Sequence, residues 1–372
     1  MRTYDGSCVP ICVPRWTRCH SRVPQEDPHR TPVTPEDSPD CEERRLATCR
    51  STEFQTNRFS GSVSAVSESL DSVGDIASVP GTQVDIAFEQ RGDPGCWPVV
   101  LLHGFPYDPR CYDYVAEKLG AAGAHVVVPY LRGYGVTRYA DPGTPRSGQQ
   151  TAFANDLRDL ITGLGLDRPI VAGFDWGGRA ACVAAMLWPE LVGGLVTVGG
   201  YNVHDIAAMS ITPEEPAVER RNWYQWYFHS ERGRRGLERY RAQLTRQLWS
   251  EWSPSWRIPD GAFERTAPSF DNPDFVATVV HSYRHRYGLA PGDPRYEADE
   301  AIVATQPLIT VPTIVLDATA DPLEGPQATD AHRQHFSHLV KHHIVDAGHN
   351  MPQENPDAFA AAVEGLRVKL TT

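Results

Sequence analysis

Four stretches of this chain share one form, a run of apolar residues that stops at a glycine: "PVVLLHG" (98–104), "AHVVVPYLRG" (124–133), "RPIVAG" (168–173) and "VGGLVTVGG" (192–200). Two more follow after a long gap, "VPTIVLDATAD" (311–321) and "VKHHIVDAGH" (340–349). Strands that are apolar on both faces belong in a parallel sheet with helices on either side. Helical patterns at 112–122, 148–164 and 177–188 alternate with them, and a closing helix is expected at about 355–369. The spacing therefore predicts an α/β fold with a mostly parallel central sheet. Residues 79–201 and 306–372 would form its core.

The interruption, residues 202–305, differs in kind. "RRNWYQWYFHSERGRRGLERYRAQLTRQLWSEWSPSW" is aromatic and helical, and a second helical stretch is expected at 273–288. An aromatic helical insertion after the sixth core strand reads as a lid over the carboxyl edge of the sheet, where open α/β sheets place their sites. Residues 1–78 are rich in Pro, Ser, Thr and mixed charge without periodicity, which predicts a disordered extension. A half-buried strand is expected in "TQVDIAFEQRG" (82–92).

Composition narrows the function. A net charge of −12 with no Lys/Arg block argues against nucleic acid or an anionic membrane as the main partner. No apolar run is long enough to span a bilayer, and the first residues lack the uninterrupted apolar core of a signal peptide. Five of the eight cysteines, Cys8, Cys12, Cys19, Cys41 and Cys49, precede residue 50 without the paired spacing of a zinc site. Cys96, Cys111 and Cys182 read as buried reduced thiols, and the balance points to a cytoplasmic protein.

"GFDWGG" (173–178) follows an apolar strand and opens a helix, the small-x-nucleophile-x-small pattern of a strained elbow. Its centre is Asp175, where such elbows often carry serine. A helix N-terminus keeps a carboxylate ionised, so the residue is a nucleophile candidate as well as a cap. In the chain order nucleophile, acid, histidine, Asp321 and His349 both follow late strands, and Gly348 exposes the histidine. Asp317 is a rival acid, but it is still within its strand. His332, His335, His338, His342 and His343 read as solvated. The turn His103-Gly104-Phe105-Pro106 offers the N–H of Phe105 beside that of Trp176 as an oxyanion hole.

An aspartate attacking a carbonyl would give a labile anhydride. Attacking a saturated carbon, it displaces a leaving group and forms an alkyl ester, which water activated by His349 then hydrolyses. The predicted substrate is a small apolar epoxide or haloalkane, and no metal or organic cofactor is implied. Oligomeric state is left open.

From about residue 80 to 370 the chain resembles the α/β-hydrolase superfamily, and most closely its epoxide hydrolases, through "HGFP" (103–106), "LRGYG" (131–135), "GFDWGG" (173–178) and "GHNMPQENP" (348–356). The resemblance implies two lid tyrosines that donate to the epoxide oxygen, Tyr224 in "WYQWYF" and Tyr283 in "HSYRHRYG". It also implies a substrate site lined by His103, Pro106, Trp176 and Phe228. The chain departs from the family at Pro129-Tyr130, where Pro-Asp is usual. Haloalkane dehalogenases share the elbow; there Trp176, with Trp223 or Trp226, would hold the halide. A non-catalytic ligand-binding hydrolase fold is the third reading.

Overall fold

The computed structural model describes residues 76–371. Nine strands form one sheet: β1 (Ile76–Pro80), β2 (Val84–Arg91), β3 (Trp97–Leu102), β4 (Ala124–Pro129), β5 (Arg138–Tyr139), β6 (Ile170–Gly173), β7 (Gly194–Val198), β8 (Thr313–Ala318) and β9 (Leu339–Val345). Their order is β1-β2-β4-β3-β6-β7-β8-β9, with β5 paired to β2. The pairs β3–β4, β3–β6, β6–β7, β7–β8 and β8–β9 are parallel, whereas β1 and β2 are antiparallel to their neighbours.

Every residue of β4, β6, β7 and β8 is buried, which is why the sequence reads there as continuous apolar runs. Helices Gln150–Gly163 and Asp175–Leu187 pack together against the sheet, and Asp113–Ala121 packs with Pro356–Thr371. The order reverses around β3, so β4 and β6 flank it and their crossovers diverge. That leaves a crevice at the carboxyl ends of β3 and β6.

Between β7 and β8 lie eight helices, among them Trp223–His229, Arg241–Trp252, Phe275–His285 and Glu297–Val303. They meet the carboxyl edge directly. Trp249 donates its indole N–H to the Pro106 carbonyl at 2.8 Å, and the rings of Trp252 and His349 lie 5.1 Å apart.

Two expectations change. Strand β1 begins at Ile76, inside the stretch assigned to a disordered extension; its hydrogen bonds go to β2, a partner that local composition does not reveal. The rest of that extension, with its five cysteines, lies outside the described residues. Cys96 is half-buried and disulfide-bonded rather than a reduced thiol, because it sits in the surface turn between β2 and β3; Cys111 and Cys182 are buried and free. Among the described residues no helix is long and apolar enough to cross a membrane.

Candidate active site

Four loops that leave carboxyl ends of strands meet at one place. After β6 the chain turns sharply, and Asp175, the first residue of its helix, has φ +50°. A non-glycine residue in this left-handed region is strained by about 1–3 kcal/mol. The neighbours permit it. A Cβ on Gly177 would lie 2.0 Å from the Leu102 carbonyl oxygen, and one on Gly104 would lie 2.6 Å from Cβ and Oδ1 of Asp175. Glycine at these positions is what lets the elbow and the loop after β3 touch.

Through that contact the Phe105 N–H donates to Asp175 Oδ1 at 2.7 Å. The N–H of Trp176, in the first turn of the helix, has no carbonyl one turn earlier to serve. Of the expected pair of donors, the Phe105 N–H is already engaged on the carboxylate.

His349 follows β9 and is 5% exposed. Its Nδ1 donates to Asp321 Oδ2 at 2.8 Å, which directs Nε2 toward Asp175 Oδ2 at 3.8 Å, longer than a hydrogen bond. Nε2 has no hydrogen-bond partner in the protein. Burial disfavours the imidazolium, but the charges of Asp321 and Asp175 outweigh it and raise the pKa to about 9. Asp317 does not approach His349. It accepts from His332 at 3.0 Å and His342 at 3.1 Å, and the ligand atoms of these three residues lie within 4.8 Å of one another, so the trio could hold a metal ion. His332 is buried and His342 carries this bond, so neither is a solvated side chain as expected.

Two tyrosines of the inserted helices, Tyr224 and Tyr283, pack on one another and on Phe105. Tyr224 is 4% and Tyr283 1% exposed, with ring centroids 5.4 Å apart at 88°. Both phenols are pushed upward, chiefly by burial, so they stay protonated and able to donate. Phe105 lies against both, 6.4 Å from Tyr224 and 5.5 Å from Tyr283, and Phe228 packs on the same cluster. Tyr227, Tyr240 and Tyr287 are placed differently: Tyr240 is half exposed, and the hydroxyl of Tyr287 donates to Gln225.

The other expected lining residues divide. Pro106 and Trp176 are at the site. His103 is fully buried with both ring nitrogens used, Nδ1 on the Gly104 carbonyl and Nε2 accepting from the Leu131 N–H. Burial holds its pKa at about 4, so it is a neutral brace for the loop and has no ring nitrogen left for a ligand. Trp223 and Trp226 donate their indole N–H groups to Glu251 and to the Glu219 carbonyl, so neither faces the elbow. Tyr130, at the departure from the family pattern, donates to Glu89 and is part of the core.

Sequence reasoning missed several groups. Glu354 accepts from the N–H groups of Gly348 (2.7 Å) and Asn350 (3.0 Å), clamping both sides of His349. Tyr107, whose ring centroid lies 6.2 Å from that of His349, buries a hydroxyl without a partner; Tyr134 Oη, Trp176 Nε1 and Trp252 Nε1 do likewise. Buried polar atoms are rarely left unmatched, so their convergence on one spot marks a place built for a ligand. The sequence signal was position: Tyr107 directly follows the quoted "HGFP", and Tyr134, Trp176 and Glu354 lie inside quoted motifs.

Comparison with known proteins places this geometry. Residues 98–356 match the α/β hydrolase fold family. Epoxide hydrolase A of Mycobacterium tuberculosis is 24% identical over 300 residues, covering 74% of this chain and 91% of its own. A Klebsiella pneumoniae structure provisionally named an epoxide hydrolase superposes with a TM-score of 0.76 at 39% identity, over 78% of this chain and 96% of that one. A potato epoxide hydrolase, at 16% identity and a TM-score of 0.63 over 79% of this chain and 99% of its own, shares the fold. The chain belongs to the α/β-hydrolase fold family and is an epoxide hydrolase-like hydrolase.

Proposed function

We propose that the protein opens a small apolar epoxide to a vicinal diol through an ester on Asp175. The observation that carries this is a half-buried carboxylate held by the Phe105 N–H, with two protonated phenols, Tyr224 and Tyr283, packed against the same Phe105. An ester substrate would need neither a carboxylate nor two acids. Epoxide opening needs both, because charge develops on the leaving oxygen as the carbon is attacked.

The steps follow from the positions. Oδ1 of Asp175 is held by the Phe105 N–H, so Oδ2 attacks the epoxide carbon. The carbon–oxygen bond breaks, and a tyrosine donates its proton to the oxygen. Asp175 is then a neutral ester, and one of the charges that raised the pKa of His349 is gone. The imidazolium then loses its proton to solvent, and the neutral imidazole takes a proton from water as the oxygen of that water attacks Cγ. The N–H groups of Phe105 and Trp176 hold the resulting oxyanion on Oδ1. Collapse breaks the bond between Cγ and Oδ2; His349 gives its proton to the leaving alkoxide, the regenerated Asp175 acid gives up its proton to restore the tyrosine, and Asp321 keeps the ring oriented throughout. Residues 202–305 act as the lid that supplies the tyrosines and excludes water, around the core of residues 79–201 and 306–372. The reaction needs only water, and the apolar lining suits a neutral substrate.

A second reading has a specific observation behind it. The indole N–H groups of Trp176 and Trp252 are both buried without acceptors, as a halide-releasing enzyme would require. The two are separated by turnover of styrene-oxide-like epoxides against bromoalkanes. Tyr224→Phe and Tyr283→Phe should each lower diol formation by about 10- to 100-fold, a fraction of what general acid catalysis supplies, because the second phenol remains. Bromide release that survives the double substitution, with no diol formed from any epoxide, would establish the halide reading instead.

A further inference from the structure

Four buried arginines separate into two kinds. Arg132 is paired bidentately with Asp156 at 2.6 and 2.7 Å, and Arg110 pairs with Glu89 and Asp113. Arg179 and Arg286, 6% and 7% exposed, form no ion pair among the described residues; the charges of Asp175 and Glu324 act on Arg179 from farther off. Arg179 donates from Nε to the Asn202 carbonyl at 3.0 Å, and Arg286 reaches only the Ser282 hydroxyl at 3.2 Å. The Nε of Arg286 is buried without any partner.

Both guanidinium groups line one cleft, together with Gln150, His204, Ser282 and His285. Burying a charge without a directly paired carboxylate is costly, and two like charges in one cleft add repulsion that Asp175 and Glu324 offset only in part. Repulsion from Arg286, after burial, is a cause that lowers the pKa of Arg179 to about 10. Local dipoles do not relieve it. Arg179 stands near the N-terminal end of helix Asp175–Leu187, the end that disfavours a cation, and Arg286 gains only a helix C-terminus. The opening of helix Gln150–Gly163 at the same cleft adds further positive potential. His204 and His285 are held toward the neutral form by burial and offer no negative charge.

We propose that this cleft is a binding site for a small carboxylate, whose two oxygens would be shared between Arg179 and Arg286. Guanidinium groups match that planar anion in geometry as well as charge. The site adjoins the reaction centre without being part of it. Arg179 lies one helical turn beyond Asp175, and the Arg286 guanidinium lies 4.3 Å from the centroid of the Tyr283 ring. The carboxylate is either free in solution or carried by the substrate itself.

The test is a titration of sodium acetate into the full chain at fixed ionic strength, following the unfolding temperature. The wild type should show a saturable rise, since a ligand that binds only the folded state stabilises it. Arg179→Gln and Arg286→Gln should each lose about tenfold or more in apparent acetate affinity, the scale of one charge-assisted hydrogen bond. Arg286→Lys, which keeps the charge, should retain part of the response and guards against a glutamine variant that fails to fold. No rise in the wild type, or the same rise in all four proteins, overturns the proposal. Turnover of glycidate against glycidol then assigns the source. A preference for glycidate that disappears in Arg286→Gln means the substrate carries the group, and equal turnover of both means the ligand is free. This last arm rests on the epoxide reading; failure to turn over either compound counts against that reading and leaves the acetate result standing.

Discussion

Two aspartate–histidine clusters stand at the same edge of the sheet, and only one leaves a histidine Nε2 unspent. Asp317 accepts from His332, His342 and the Gln327 N–H, all on Oδ2. Both histidines spend their Nε2 on that carboxylate, and His342 engages Thr329 through Nδ1. Asp321 instead accepts from Nδ1 of a single histidine, and Oδ1 holds its own loop through the Leu323 N–H at 2.8 Å. His349 therefore keeps Nε2 free, aimed at Asp175. A buried histidine–aspartate pair is common chemistry. What makes it a catalytic arrangement is an unspent nitrogen pointing at a reacting atom.

The largest expected contrast lies in the histidines. His349→Gln should reduce diol formation by on the order of 10³-fold or more, with the ester accumulating, because only the second half-reaction is lost. His342→Gln should leave steady-state turnover unchanged. Equal losses in the two variants would erase the distinction.

The acids come next. Asp321→Asn keeps a hydrogen bond but favours the wrong tautomer of His349, and a loss of about 10²–10⁴-fold in kcat is expected. Asp317→Asn should act on stability instead, by about 1–3 kcal/mol, since two buried histidines lose their acceptor. Chemical denaturation measures the second effect, and a fall in kcat without loss of stability would reverse its assignment.

The smallest effect is in pH. His349 is raised to about 9 from 6.5, so its cluster contributes stability fully present below about pH 6.5 and lost as pH rises through 9. Asp317 is lowered from 3.8: burial works against this, but its bonds from His332 and Gln327 prevail. Its contribution is present above pH 3.8 and lost as pH falls further. Unfolding temperatures of His349→Gln and wild type should thus converge toward pH 10, and those of Asp317→Asn and wild type at the acid end.

The same contrast shows what the sequence carries. Apolar runs ending in glycine located β3, β4, β6 and β7, because a strand buried on both faces leaves its mark in its own residues. Asp175 and His349 were legible because elbow and loop glycines stand beside them. Asp321 was chosen over Asp317 by position at the strand end alone. That His332 and His342 are buried on Asp317 depends on strand β9 and the helix Thr329–Arg333 meeting at β8, a contact no local pattern encodes. Trp252 reaches His349 by the same kind of distant contact, whereas Glu354 acts locally, on the N–H groups of Gly348 and Asn350. Tyr224 and Tyr283 lay among several tyrosines, and only resemblance singled them out.

The central claim is that Asp175 supplies an oxygen to the product. A single turnover of excess enzyme with a styrene-oxide-like epoxide in H₂¹⁸O tests it, with mass spectrometry of both the diol and the peptide containing Asp175. The account predicts an unlabelled diol and one ¹⁸O in the Asp175 carboxylate, since water attacks Cγ and the alkyl group departs with Oδ2. Label in the first diol, with none in Asp175, would mean that water attacks the epoxide directly and that no ester forms.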